Sequence, residues 1–358
     1  MTSSIPRVLN LHAGDWVEVR RKEEILSTLD ARGCLEGLPF MPEMFAFCGR
    51  RFRVFKRAHK TCDTIEKTGG RRMANAVHLE DVRCDGAAHG GCEATCMIFW
   101  KEAWLRRVSL DGAPVPDETV PPAAIPGGCS EPAVWKAARI EDPSAPDDPT
   151  FVCQATQLLA ATTPLKWWDV RQYIEDFTSG NVGLRRLVCS AVYSLVSHLS
   201  EAGVGLGRPI RWLYDRIRPG GVPFPRRRGS IGLEERTPSL ELNLQPGEMV
   251  RVRSFSEILA TLNKLNKNRG LYFDAESVPY CGRSFRVLKR VTQIVNEKTG
   301  KMMRFKNASV ILEGAYCQAR YSGCRMMCPR AVYPMWREIW LERVDRESSG
   351  PPPGRQTG

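Results

Sequence analysis

Several features that would fix a compartment or a membrane topology are missing from this sequence. It contains no apolar run long enough to span a bilayer. Its first residues, MTSSIPRVLNLHAGDWVEV, have neither the basic nor the apolar region of a secretory signal. We therefore expect a cytoplasmic protein, in which glutathione and thioredoxin keep thiols reduced. In that compartment, regularly spaced cysteines indicate metal ligation or redox chemistry rather than disulfides.

Catalytic signatures are missing as well. The sequence has no G-x-S-x-G nucleophile motif, no Walker loop, no H-E-x-x-H helix and no dinucleotide fingerprint. The zinc deaminase pattern, which pairs a C-x-x-C with a glutamate two residues after a ligand histidine, is also absent. Whether the chain is an enzyme therefore stays open, and the cysteines become the main guide to function.

What the chain does have is a basic and globular composition. Its 358 residues leave room for two or three domains, and 42% of them are hydrophobic while 26% are charged. A formal net charge of +12 indicates a polyanionic partner such as nucleic acid or an anionic membrane surface. The alternative is that the charge reflects a basic, arginine-rich proteome.

One long stretch of the chain occurs twice. Each copy opens with an alternating strand pattern after a glycine, GDWVEVR and GEMVRVR, and a short helix pattern follows. A Cys-Gly turn then leads into a second alternating segment, FCGRRFRVFKR and YCGRSFRVLKR. A KTG turn precedes the third strand, and WKEAWLRRV or WREIWLERV closes each copy as the fourth.

These patterns predict a mainly β protein of the α+β class, with two tandem small antiparallel barrel-like repeats joined by a helical segment. In strand pattern and size the repeats resemble SH3-like barrels. The predicted divisions are a first cysteine-containing β repeat, a Pro/Gly/Asp-rich linker, a helical connector, a basic and polar linker, a second cysteine-containing β repeat and a disordered tail, at 12–110, 111–161, 162–220, 221–244, 245–346 and 347–358.

The helical connector contains three amphipathic segments. The stretch TTPLKWWDVRQYIEDF predicts a helix over 162–177 that is capped by Thr163. Residues 181–200 place leucine and valine on one wide face, and a short basic helix follows. We expect these helices to pack in the core. The alternative is peripheral contact with an anionic membrane through 181–218.

The cysteines form the strongest chemical pattern, because eight of the thirteen fall into two matching sets of four. The members of the first two pairs lie 233 residues apart and those of the last two 232, which indicates that one residue was lost between the second and the third cysteine. Matched thiols in both copies predict a four-thiolate metal site in each repeat. The predicted ligands are Cys48, Cys84, Cys92 and Cys96 in the first copy and Cys281, Cys317, Cys324 and Cys328 in the second.

Zinc is the predicted metal, with two sites, because a small domain gains folding free energy directly from a structural ion. An iron-sulfur cluster is the alternative, since the segment CRMMCP is similar to the C-x3-C-P ending of bacterial ferredoxin motifs. Disulfides, or buried thiols that bind nothing, also stay open.

Other candidate residues are not matched between the copies, or carry no clear chemistry. Cys189 lies on the apolar helical face and is expected in the core. The roles of the other unmatched cysteines stay open: Cys34, Cys62, Cys129 and Cys153. Three unrepeated histidines could replace a thiolate but are expected at surface or loop positions: His59, His78 and His89. Matched acidic residues predict a solvated face or repeated salt bridges: Glu24 with Glu257, Glu43 with Glu276, Glu80 with Glu313, and Glu102 with Glu338.

The matched motifs, FCGRRFRV and WKEAWLRRV with their second copies, and WWDVRQYIEDFTSGN between them, resemble those of an uncharacterised bacterial family. That resemblance implies no activity and no residue roles. We predict a metal-stapled binding or scaffold protein with a basic partner-binding surface. The alternative is an iron-sulfur redox or accessory enzyme with its substrate bound between the repeats. A protein or peptide is the expected partner, and nucleic acid is the second candidate because RFRVFKR interleaves aromatic and basic residues.

Overall fold

The structure is a computed structural model, which describes residues 9–109, 128–201, 207–217 and 221–344, apart from the side chains of Glu201 and Arg208. The fold is α+β with antiparallel sheets, as predicted. None of the helices in these ranges combines the length and apolar character that a bilayer span requires. The predicted disordered tail lies outside the described residues.

The first copy of the repeat forms a five-stranded antiparallel sheet in the order β8-β7-β4-β1-β9. The predicted fourth strand is split into β8 and β9 by a 3₁₀ turn at Glu102–Trp104. The elements of this region are β1 (Trp16–Val19), α1 (Lys22–Leu26), β2 (Cys34–Leu35), β3 (Leu38–Pro39), β4 (Arg51–Arg57), β5 (Lys60–Cys62), β6 (Gly70–Arg72), β7 (Ala76–Leu79), β8 (Trp100–Lys101) and β9 (Leu105–Arg107).

The second copy forms a four-stranded sheet in the order β17-β16-β13-β18. The elements from residue 128 onward are α2 (Glu131–Ala137), β10 (Arg139–Ile140), β11 (Thr150–Phe151), β12 (Thr163–Leu165), α3 (Arg171–Thr178), α4 (Leu184–Glu201), α5 (Gly207–Ile217), β13 (Met249–Val252), α6 (Phe255–Ala260), β14 (Lys267–Asn268), β15 (Leu271–Tyr272), β16 (Ser284–Val295), β17 (Met302–Leu312) and β18 (Leu341–Arg343).

The two sheets share one register. Trp16 pairs with Arg53 in the first sheet, and Met249 pairs with Arg286 at the matching position of the second. The repeat seen in the sequence is therefore a repeat of strand pairing. Within the described residues, the first and last strands of each sheet are not hydrogen-bonded to each other. Closure of the sheets into tandem barrels therefore stays a prediction.

The chain divides into two compact units, each with its own core. The first unit contains Met1–Val182, Gln293–Arg304 and Met327–Arg330, and the second contains Gly183–Thr292, Phe305–Met326 and Ala331–Gly358. Edge-on aromatic pairs recur in the two cores, with ring centroids 5.2 Å apart for Phe40–Trp104 and for Phe273–Trp340. The division falls inside the predicted helical connector, so that α3 belongs to the first unit and α4 and α5 to the second.

Two predicted segments differ from the structure in the first unit. The described part of the predicted linker contributes α2 and the buried side chains of Val134 and Leu158 to the core. The helix predicted over 162–177 is wrong in its first half, because Thr163–Leu165 pairs with β6 and the helix begins at Arg171. A residue that precedes proline is pushed out of the helical region, which favours the strand here.

Three of the four matched acidic pairs form the same salt bridge in both copies, as predicted. The closest N–O distances are 3.1 and 3.7 Å for Arg20–Glu24 and Arg253–Glu257, 3.8 Å for both Arg53–Glu80 and Arg286–Glu313, and 3.0 and 2.8 Å for Arg57–Glu102 and Arg290–Glu338. Glu102 and Glu338 are buried rather than solvated. Glu43 and Glu276 are the exception, and they have different surroundings in the two copies.

Candidate metal centre

Glu43 lies beside a cysteine and a histidine that come from other parts of the first unit. It stands in a 3₁₀ helix at Pro42–Phe47, while Cys84 follows β7 and His89 ends a 3₁₀ turn at Ala87–His89. The turn depends on Gly86, whose φ is +78° and whose Cβ, if it had one, would lie 2.0 Å from the carbonyl oxygen of Cys92. Glycine is the residue that fits such a position, so the local sequence places His89 toward Glu43.

The three side chains converge on one carboxylate oxygen. The Sγ atom of Cys84 lies 3.0 Å from Oε1 of Glu43, and Nδ1 of His89 lies 2.9 Å from the same oxygen. One nitrogen, one oxygen and one sulfur thus lie within 4.8 Å of one another. At the usual zinc–ligand lengths of about 2.0–2.3 Å, all three can reach a single ion.

The hydrogen bonds leave this cluster with two unsatisfied acceptor atoms. Nε2 of His89 lies 3.1 Å from the carbonyl oxygen of Val152, so it carries the proton and donates. In a neutral imidazole, Nδ1 then presents a lone pair toward the carboxylate of Glu43. The 2.9 Å contact lacks hydrogen-bond geometry, and neither Nδ1 nor Oε2 of Glu43 has a hydrogen-bond partner. Two acceptors that face each other in the interior call for a proton or a cation between them.

Electrostatics support an ionised Glu43 beside a neutral thiol. Burial opposes ionisation of Glu43, but a proton or cation between its carboxylate and His89, together with the hydrogen bond from Cys84, outweighs burial and holds the pKa of Glu43 below its ordinary value. Burial, together with the negative charge of Glu43, raises the pKa of the Cys84 thiol. A cation at the centre would reverse this preference and stabilise the thiolate.

The predicted four-cysteine set of the first copy does not meet at one point. Burial raises the pKa of Cys48 to about 11, and the charged groups that act on this thiol are those of Lys22, Glu23 and Glu131. Cys92 accepts a hydrogen bond of 3.3 Å from the backbone of Val295. Within the part of the chain that the structure describes, Glu43, Cys84 and His89 are the one group of three or more potential ligands whose atoms converge.

The predicted set of the second copy is divided between the two units. Cys281, Cys317 and Cys324 belong to the second unit and Cys328 to the first. The Sγ atom of Cys328 there accepts a 3.2 Å hydrogen bond from the backbone N–H of Cys62.

The sequence alignment matched Cys96 of the first copy with Cys328 of the second, and this match is wrong. The backbone N–H of Cys84 bonds to the carbonyl of Cys96, whereas the N–H of Cys317 bonds to that of Val332. The structural counterpart of Cys96 is therefore Val332 rather than Cys328. Val77 pairs with Trp100 in the first copy and Val310 with Trp336 in the second, so the second copy is longer over this stretch.

In the second copy the carboxylate at the matching position is already satisfied. Glu276 is buried and accepts hydrogen bonds from the backbone N–H groups of Arg320 and Tyr321. Ser322 stands 233 residues after His89 and lies 3.4 Å from the same carboxylate. Without an imidazole at this position, the second copy does not assemble the same cluster.

The histidines show where sequence reasoning failed. All three that were expected at surface or loop positions are buried, with exposed fractions of 2% for His59, 0% for His78 and 1% for His89. The signal for His89 is its position between Gly86 and Gly90, which both adopt left-handed backbone conformations. Its partner Glu43 is distant in sequence, so no local motif joins them.

His78 predicts a pH dependence of stability. Burial lowers its pKa to about 3, below the value of 6.5 for an unperturbed imidazole. The neutral ring therefore contributes stability that is complete above pH 6.5 and is lost as the pH falls toward 3, by at most about 4–5 kcal/mol. The variant His78→Asn does not titrate, and we expect its free energy of unfolding to fall less steeply over this range in denaturant titrations. Equal slopes for the two proteins would contradict the assignment.

Comparison of the chain with protein-family models, curated proteins and solved structures finds no match.

Proposed function

We propose that this chain is a zinc-stapled binding protein, in which one ion held by Glu43, Cys84 and His89 fixes the first repeat. The observation that carries the proposal is a buried imidazole nitrogen that lies 2.9 Å from a buried carboxylate oxygen without hydrogen-bond geometry, with a thiol on the same oxygen. Ligand histidines commonly donate their other ring N–H to a backbone carbonyl, as His89 does to Val152.

The donor set favours zinc over an iron-sulfur cluster. Zinc accepts mixed nitrogen, oxygen and sulfur ligands, whereas iron-sulfur clusters are usually held by four cysteine thiolates. With one thiol in the convergent group, zinc is the better match. The proposal is accordingly one mixed-ligand site, in place of the two four-cysteine sites predicted from sequence.

Burial favours a structural role over a catalytic one. The side chains of Glu43 and His89 are 5% and 1% exposed, which leaves little room for a substrate to reach the ion. The three ligands also come from segments that are separate in the sequence, as expected for a structural metal site that holds a domain together. Without a metal, the raised pKa of the Cys84 thiol makes it a poor nucleophile.

The strand arginines support a protein or peptide partner over nucleic acid. Arg51 and Arg53 on the outer face of β4 contact Glu18 and Glu80 at 3.3 and 3.8 Å. Acidic neighbours reduce the positive potential that a phosphate backbone requires. We also propose that each of the two sheets closes into a small barrel.

Metal analysis of the chain purified without oxygen tests the proposed function. We expect one zinc per chain and a colourless protein that loses thermal stability when a strong chelator is added. Two zinc ions per chain would instead support the eight-cysteine sites, and a brown protein would support iron and sulfur. A metal-free protein that zinc does not stabilise would overturn the proposal.

A further inference from the structure

Helix α4 is oriented with its serines inward. Four serines at helical spacing are buried, and these are Ser190, Ser194, Ser197 and Ser200. Tyr193 lies among them, donates a 3.2 Å hydrogen bond to the carbonyl of Tyr321 and packs its ring 4.9 Å from that of Tyr321. The polar side of α4 thus packs against the rest of the second unit, to which this helix belongs.

The apolar side of α4 faces outward. Five large aliphatic residues at helical spacing are exposed, and these are Leu184, Val188, Val192, Leu195 and Leu199. More than 60% of the surface of Leu184 and of Leu195 is exposed. A surface helix normally buries this stripe and exposes its serines. In α4 this arrangement is reversed, and the exposed apolar face fits an apolar medium outside the unit.

Helix α5 has the same property. It packs against α4, and Tyr214 is buried with its ring 6.1 Å from Tyr193 and 5.6 Å from Phe224. Trp212 and Ile217 are 64% and 66% exposed. Exposed apolar residues on both helices of a hairpin form far more apolar surface than isolated surface residues do.

The positive charge of the α4–α5 hairpin indicates which apolar medium its exposed face contacts. Arg185, Arg211 and Arg216 are exposed, and the guanidinium of Arg216 lies 5.9 Å from the ring of Trp212. Residues 183–218 contain six arginines against one glutamate and one aspartate. Two such hairpins would repel each other, whereas anionic lipid headgroups would attract both. Tryptophan beside arginine is typical of helices that lie in the membrane–water interface.

We propose that the α4–α5 hairpin docks on an anionic lipid bilayer, with its apolar side chains among the acyl chains and its arginines at the lipid phosphates. Docking uses the second unit and does not require the metal centre of the first. It gives this chain a peripheral membrane location that the composition alone leaves open.

Vesicle sedimentation of the full chain tests the proposal. The protein should pellet with vesicles made of equal parts phosphatidylcholine and phosphatidylserine, and stay in solution with phosphatidylcholine alone. The apolar double variant Leu195→Ser/Ile217→Ser should lower the apparent affinity about a hundredfold. The triple variant Arg185→Gln/Arg211→Gln/Arg216→Gln should do the same, because each arginine near an anionic surface contributes roughly a fivefold gain.

Matched controls lie elsewhere on the second unit. Leu265 and Lys264 are exposed outside the hairpin, so Leu265→Ser and Lys264→Gln should bind as the original chain does. Equal thermal midpoints would show that every variant is folded. Binding that survives the hairpin substitutions, or no binding to either vesicle, would overturn the proposal. A dimer that dissociates in the apolar variant would assign the face to a second copy of the chain instead.

Discussion

The variant His89→Ala should lose the zinc-dependent part of the stability of the first unit. An ion bound only by the folded state stabilises it by about 4 kcal/mol when zinc is present at a thousand times its Kd. Alanine removes the imidazole that faces Glu43, and we expect the gain in free energy of unfolding on adding zinc to fall close to zero. Denaturant titrations with zinc and with chelator measure this gain directly.

The repeat supplies the control for this experiment. Ser322 occupies the matching position beside Glu276, so Ser322→Ala should leave the response to zinc unchanged. Glu43→Gln, which keeps the shape of the side chain, should weaken zinc binding, while Glu276→Gln should not. An undiminished zinc response in His89→Ala would remove this residue from the site.

The variant Glu338→Ala should destabilise the second unit by about 3–5 kcal/mol, because it leaves a partly buried arginine without this carboxylate. Glu338 lies 2.8 Å from Arg290 and accepts backbone N–H groups from Asn243 and Leu244 at 2.8 and 3.1 Å. Glu102 has the same role in the first unit, where it binds Arg57 and the N–H groups of Asn10 and Leu11. Thermal or denaturant unfolding should therefore show a loss for Glu102→Ala as well.

An exposed pair gives the reference for these losses. Glu342 bonds to Arg251 on the outer face of the second sheet, and exposed pairs of this kind are worth about 0–1 kcal/mol. Glu342→Ala should therefore have a small effect. If Glu338→Ala were no more destabilising than Glu342→Ala, the buried network would not hold the unit together.

Strand pairing was predictable because alternation and turns are local features. The offset of 233 residues between copies reappears as the register of β1 with β4 and of β13 with β16. The matched motifs WKEAWLRRV and WREIWLERV also predicted the repeated salt bridges of Glu102 and Glu338, which begin the same 3₁₀ turn in each copy.

The candidate site was less predictable because it depends on contacts between distant segments. Cys84 was identified, but Glu43 was taken for a surface or salt-bridge residue and His89 for a loop residue. The difference in length between the two copies also concealed the structural match of Cys96 with Val332. The orientation of α4 shows another limit, because periodicity reveals which residues share a face but not which face is buried.

X-ray absorption at the zinc edge of the purified chain tests the central claim most directly. We expect one zinc per chain with a single sulfur ligand, the rest nitrogen or oxygen, and the outer-shell scattering of one imidazole, whereas His89→Ala should retain little or no zinc. A zinc ion bound by four sulfur atoms would contradict the mixed-ligand site and support the four-cysteine sites instead.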